Sequence, residues 1–298
     1  MKRREALKAI ALLGLQPHSL IGQEPKEKQI RVEQTKAVLH PESGVDLETR
    51  TYYLDNNAPI IVFAPGLGGT AEQNCSAYSL TTELVKRGYR VKLFSPRNSG
   101  NSTGHLTIGN YVSDTELVLK DTAQSQGQLP YVVGHSMGGY ALGKILEEEM
   151  AKKAVLLAPL LDVTEQNPEI INRLLKSETG KSLISEVLGT ILGAQRFSTD
   201  EDAKEFLESL YIAEPCNSQL AVPTHIFLPN RTNFGLRINN LEELKIRWER
   251  LQTPESKTKI YPTLNHYFST GIFPLGNEFF RRSPETKQIL EDITEFFS

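Results

Sequence analysis

Residues 131–140 read Tyr-Val-Val-Gly-His-Ser-Met-Gly-Gly-Tyr. Tyr131 to Val133 open an apolar run of the kind that forms a strand buried on both faces. From Tyr140 to Met150 apolar residues recur with helical spacing. Between them, Gly134-His135-Ser136-Met137-Gly138 leaves very little chain for the turn from strand to helix. Gly134 and Gly138 stand two residues either side of Ser136, where a Cβ would collide with neighbouring chain in so tight a turn. Such a turn lifts a serine oxygen above the sheet. It also aims the first amides and the positive dipole end of the following helix at charge developing there. Ser136 is therefore the leading candidate nucleophile. A chance G-x-S-x-G in a glycine turn would lack the flanking strand and helix.

The rest of the chain repeats this alternation. Strand-like segments lie at Ile30–Leu39, Val45–Leu54, Pro59–Ala64, Tyr89–Phe94, Lys153–Ala158, Pro223–Leu228 and Thr258–Tyr261. Helical patterns lie at Tyr78–Lys86, at Asn110–Ala123 with Val112, Leu117 and Leu119 as its apolar content, and at Pro284–Phe297 with Ile289, Ile293 and Phe297 on one face. Strands alternating with helices imply a mostly parallel sheet covered on both sides. One stretch breaks the rhythm. Between Leu161 and Val222 there are three helical stripes, beginning at Ile170, Leu183 and Phe206. The third serves as a crossover to the next strand. The first two are surplus and are expected to form a helical lid at about residues 163–198, the alternative being extra scaffold.

Composition narrows the function classes. The 298 residues are 39% hydrophobic and 23% charged with a formal net charge of −3, which points to neither nucleic acid nor an unfolded chain. No stretch approaches the roughly 20 apolar residues that a membrane-spanning helix needs. Cys75 and Cys216 form no CxxC pair, and no HExxH, Walker A or GxGxxG motif occurs. No metal and no organic cofactor is therefore expected.

Two further segments accompany the Ser136 turn. Phe63-Ala-Pro-Gly-Leu-Gly-Gly69 follows a buried strand and precedes a helix, and Ser95-Pro-Arg97-Asn-Ser-Gly100-Asn-Ser102 follows another. Together the three resemble the α/β-hydrolase family. The first matches its G-x-S-x-G nucleophile elbow, the second the loop that donates an oxyanion-hole amide, and the third its D-x-R-G-x-G-x-S turn, kept at Arg97, Gly100 and Ser102. The resemblance implies one α/β-hydrolase domain over about residues 30–298. It implies an oxyanion hole from the backbone amides of Leu67 and Met137. The family often has His-Gly where this chain has Pro65-Gly66, a change that keeps the backbone donor.

In that fold the base comes last in chain order. Of the six histidines, His18, His40 and His105 precede Ser136, His135 lies in the elbow, and His225 lies within a strand. His266 alone follows the last strand in a loop, which makes it the expected base. The acid is less plainly marked. The resemblance places it after the Pro223–Leu228 strand, where this chain has Asn233 and no carboxylate before Glu242. Some lipase-like relatives carry it one strand earlier, which here points to Asp162. Asp162 leads, Asn233 and Glu242 remain alternatives, and Asp162 could instead merely cap a helix.

The function so implied is a serine hydrolase acting on a small-molecule acyl ester through an acyl-enzyme on Ser136. Apolar lid stripes, with Phe268, Ile272, Phe273, Phe279 and Phe280 after His266, suit an acyl chain, so a lipid ester is included. A thioesterase or acyltransferase is the alternative, and a non-catalytic binding protein of the same fold a more distant one. Finally, Met1-Lys-Arg-Arg-Glu-Ala-Leu-Lys8 and the apolar Ala9–Leu15 resemble a twin-arginine export signal, departing from it at Ala6, with residues 16–29 as a linker. That reading implies a periplasmic protein. The competing one is an amphipathic first helix on a cytoplasmic protein.

Overall fold

The computed structural model describes residues 33–66, 69–71, 75–159, 200–231, 241–265 and 284–298. All belong to one unit, Val32–Ser298. The export-like segment 1–29, the lid at about 163–198, Leu67, Asp162, Asn233 and His266 lie outside the described residues.

Eight strands form a single sheet: β1 Glu33–Glu42, β2 Val45–Tyr53, β3 Ile60–Ala64, β4 Arg90–Phe94, β5 Tyr131–His135, β6 Ala154–Leu157, β7 Thr224–Arg231 and β8 Lys257–Asn265. Their spatial order is β1-β2-β4-β3-β5-β6-β7-β8. The β1–β2 and β2–β4 pairs are antiparallel. All the others are parallel. The helices are α1 Cys75–Lys86, α2 Ile108–Gln126, α3 Met137–Ile145, α4 Asp200–Tyr211, α5 Leu241–Glu249 and α6 Pro284–Phe297.

The continuous apolar runs of the central strands now have a cause. Successive side chains on a strand point to opposite faces, so a strand covered on both sides is apolar at every position. Val62, Val132, Leu156 and Ile226 pack with α2, α3 and the buried Phe206 and Trp248 of α4 and α5. Their neighbours Ile61, Val133, Val155 and Phe227 pack on the other side with Leu80 and Leu84 of α1 and Ile289, Ile293 and Phe297 of α6. Each fully buried Ile or Phe of α6 contributes about 1.5–3 kcal/mol.

Several expectations are corrected. Of the expected apolar content of α2, Leu119 is buried but Val112 and Leu117 are only half-buried, and the buried face is completed by Ile108, Tyr111, Asp114, Thr115, Val118 and Thr122. The misreading came from its buried polar residues. Thr115 and Thr122 hydroxyls donate to the carbonyls of Tyr111 and Val118 one turn earlier, and Asp114 is taken up by Arg97. Helix α3 starts at Met137, not Tyr140, and ends at Ile145. β7 continues through Pro229 to Arg231, with its register shifting there, because a proline without an N–H interrupts the ladder. α5 was not foreseen. Its sequence Leu-Glu-Glu-Leu-Lys-Ile-Arg-Trp-Glu buries only Trp248, so its apolar stripe is thin.

Candidate active site

The turn after β5 consists of one residue. β5 ends at His135 and α3 starts at Met137, so Ser136 alone reverses the chain, with φ 53° and ψ −113°. A non-glycine residue in such a conformation costs on the order of 1–3 kcal/mol and persists only where its surroundings impose it. Here they do. The Ser136 N–H donates to the Leu157 carbonyl of β6 at 2.9 Å, and the Ser136 carbonyl accepts the Tyr140 N–H at 3.0 Å, closing the first turn of α3. Ser136 is partly exposed, while His135 and Met137 on either side are buried.

The glycines of the motif are there for close approach. A Cβ on Gly138 would lie 2.1 Å from the Ala64 carbonyl oxygen, and one on Gly134 would lie 2.7 Å from the Gly138 oxygen. Helix α3 can therefore sit flush on the end of β3 only with glycine at 138. The same approach brings the loop after β3 onto the serine. A Cβ on Gly66 would be 3.3 Å from Ser136 Cβ and 2.9 Å from His135 Nδ1. That loop turns back through a hydrogen bond from the Gly69 N–H to the Gly66 carbonyl at 2.9 Å. The two segments read from the sequence as elbow and oxyanion loop are thus in contact. Met137 opens α3, where an amide has no carbonyl a turn earlier to bond within the helix.

The remaining candidates can be located by their strands. β8 ends at Asn265, the residue before His266. β6, next to β5, ends at Leu157, and the chain leaves it through Ala158 at φ 47° and Pro159, toward Asp162. Asn233 follows β7, which ends at Arg231. Glu242 is exposed in the first turn of α5, where a carboxylate complements the helix dipole.

The Ser95–Ser102 turn is a scaffold. The Arg97 amide and Nε donate to the Asp114 carboxylate at 2.9 and 2.8 Å, and its Nη1 donates to Glu42 at 2.7 Å. Burial pushes the Asp114 carboxyl up, and the Arg97 guanidinium opposes it. The Ser102 hydroxyl donates to the Ser95 carbonyl at 2.7 Å and accepts the Glu48 amide at 2.8 Å.

Two contributors escaped the sequence reading. The proximity of Gly66 to Ser136 depends on how β3 and β5 are paired, which no local pattern specifies. Tyr111, from α2, donates its hydroxyl to the Pro65 carbonyl. No spacing rule links residues 46 positions apart.

A cleft of about 850 Å³ lies elsewhere, lined by Lys153, His225, Ser256, Lys257, Asp292 and Phe296 among others. Lys153 precedes β6, His225 is the second residue of β7 and Lys257 the first of β8, so this cleft is at the amino ends of the strands. Ser136 is at the carboxyl end of β5. Among the described residues no group of three or more His, Cys, Asp or Glu comes together as a metal site, and no helix is long and apolar enough to cross a membrane.

Comparison with known proteins agrees with this geometry. A family profile described as serine aminopeptidase, S33, matches residues 55–211. No curated protein sequence matches. Among solved structures, the chain resembles the esterase Pf2001 of Pyrococcus furiosus at 16% identity, covering 89% of this chain and 90% of that one, with a TM-score of 0.63. It resembles the α/β-hydrolase GrgF of Penicillium sp. sh18 at 13% identity, with coverages of 89% and 97% and a TM-score of 0.62. Est1E of Butyrivibrio proteoclasticus, solved with ferulic acid, follows at 15% identity, coverages of 86% and 95%, and a TM-score of 0.55. At such identities these structures speak for the fold alone. The profile spans more than half of the chain and covers β3 to the end of α4, with the elbow inside it. On that match and this sheet order, the chain belongs to the serine aminopeptidase S33 family of α/β-hydrolases.

Proposed function

We propose that this hydrolase cleaves carboxylic esters through an acyl-enzyme on Ser136. The observation that carries the reading is the strained single-residue turn at Ser136, with Gly66 of the β3 loop packed against it. Ser136 Oγ attacks the acyl carbon, and its proton passes to His266. The negative charge on the carbonyl oxygen is met by the amides of Met137 and Leu67. As the intermediate collapses, the alcohol leaves with the proton from His266. A water molecule, deprotonated by the same imidazole, then attacks the acyl carbon; as that intermediate collapses the carboxylic acid leaves and Ser136 Oγ takes back the proton from His266. Asp162, which follows β6 in the chain, is the group proposed to orient the imidazole; β6 lies directly beside β5. Glu242 is the weaker alternative because it stands exposed at a helix start.

A second reading, hydrolysis of an aminoacyl amide, is favoured by the description of the matching family. The chemistry at Ser136 is the same and only the leaving group differs. Fluorophosphonate labelling followed by turnover of p-nitrophenyl butyrate and of an aminoacyl p-nitroanilide tests both. The parent chain should be labelled at Ser136 and prefer the ester. Ser136→Ala should lose labelling and on the order of a millionfold in turnover. Near-parent turnover by Ser136→Ala would sink the nucleophile assignment, and a preference for the anilide would transfer the function to the second reading.

A further inference from the structure

The loop after β3 sits on the nucleophile with no slack, yet little of the sheet holds it there. β3 ends at Ala64, and Pro65 has no N–H with which to continue a ladder. What meets the Pro65 carbonyl is the Tyr111 hydroxyl, from the first turns of α2. Tyr111 is 1% exposed, so this is an interior contact. Helix α2 is itself firmly set. Thr107 caps it, its hydroxyl accepting the Asn110 amide at 3.1 Å, and the Tyr111 amide donates to the Thr107 carbonyl at 2.9 Å. One turn on, Asp114 is anchored to Arg97.

We propose that Tyr111 is a positioning residue for the reaction: its hydroxyl clamps the Pro65 carbonyl and so holds the Pro65–Gly66 segment against Ser136. The inference rests on the reading of Ser136 as nucleophile. Three further features support it. First, the Pro65–Gly66 peptide is planar, so fixing the carbonyl direction also fixes the plane in which Gly66 continues toward the elbow. Second, the Pro65 oxygen lies 2.6 Å from where a Gly138 Cβ would be, so this carbonyl abuts the first turn of α3. A carbonyl left unbonded there could swing its partial negative charge toward the place where the oxyanion forms. Third, burial and then the charge of Asp114 hold the Tyr111 phenol well above its ordinary value, so it remains a protonated donor and is no base.

The test uses the full chain and Tyr111→Phe, which keeps the ring and removes only the hydroxyl. Misplacing a positioned group by about 1 Å can cost about a hundredfold in rate. The expected result is a fall in kcat of about 10- to 100-fold on p-nitrophenyl butyrate, with KM within about twofold. Amide hydrogen exchange over residues 64–71 should become faster. Val118→Ala, a buried change on the same helix, separates positioning from stability: it should lower Tm yet keep the parent kcat. Parent-like kcat and exchange in Tyr111→Phe, beside an inactive Ser136→Ala, overturn the inference and leave the nucleophile standing. So does a Val118→Ala enzyme that loses as much kcat as Tyr111→Phe. Turnover by Ser136→Ala overturns both readings.

Discussion

The two ends of the parallel strands differ: a Ser, a His and an Asp line one cleft at the amino end, and a single strained serine stands at the carboxyl end of β5. At the amino end, Ser256, His225 and Asp292 all line one cleft. The Ser256 hydroxyl accepts the Thr224 amide at 2.8 Å and pairs with the Thr253 hydroxyl at 2.9 Å. The Asp292 carboxylate takes Lys259, Tyr261 and Gln288 at 2.5, 2.6 and 2.9 Å. The His225 ring lies flat on Phe296, centroids 3.6 Å apart. Burial, then the Lys257 charge, lowers its pKa to about 4, too low for an efficient base near neutrality. At the carboxyl end a strained serine stands between a helix start and a loop so close that a Cβ on Gly66 would come within 3.3 Å of the Ser136 Cβ. Residue types and a cavity are thus poor guides to a nucleophile. A backbone conformation that the surroundings enforce is a better one.

The contrast is most exposed to a pair of histidine variants. Loss of the base costs about as much as loss of the nucleophile, so His266→Ala should lower ester turnover on the order of a millionfold. His225→Ala should leave turnover near the parent and lower Tm instead. Steady-state rates and melts on both variants decide it, and the reverse outcome would move the site to the amino end.

A smaller effect separates backbone approach from surface packing. Gly138→Ala drives a methyl group into the Ala64 carbonyl and should cost about 3 kcal/mol or more. In a thermal melt that is a Tm lower by roughly 6–12 °C. Glu255→Ala, on the exposed rim of the amino-end cleft, should stay within about 0.5 kcal/mol. Equal shifts in the two melts would mean that the elbow is no tighter than the cleft.

The smallest effect concerns acid. His225 has a folded pKa of about 4 against an ordinary 6.5, so the unfolded chain binds more protons between those values. Its stabilising contribution is complete above pH 6.5 and is lost as pH falls toward 4. His225→Phe keeps an aromatic partner for Phe296 and removes the titration. The variant should therefore lose less Tm than the parent between pH 7 and pH 4, a difference that melts at a few pH values would show. Parallel losses would assign the acid sensitivity to other groups.

Much of this protein is written locally in its sequence. The strand-to-helix turn at Ser136, the apolar runs of β3, β5 and β6 and the Ile289–Ile293–Phe297 stripe of α6 are short-range patterns. They follow from the two-residue period of strands and the 3.6-residue period of helices, and Gly134 and Gly138 carry the steric need of the elbow within five residues. The thin stripe of α5 and the polar buried face of α2 broke those patterns, because Asp114, Thr115 and Thr122 find their partners by tertiary contact or by bonding back along the helix. Contacts between distant segments were decided only by the tertiary structure. Pairing β3 beside β5 sets Gly66 on Ser136, and the packing of α2 on that face brings Tyr111 to the Pro65 carbonyl. It also occupies Ser256, His225 and Asp292 with other partners, since hydrogen-bond choice among distant residues depends on which groups the fold brings within about 3 Å.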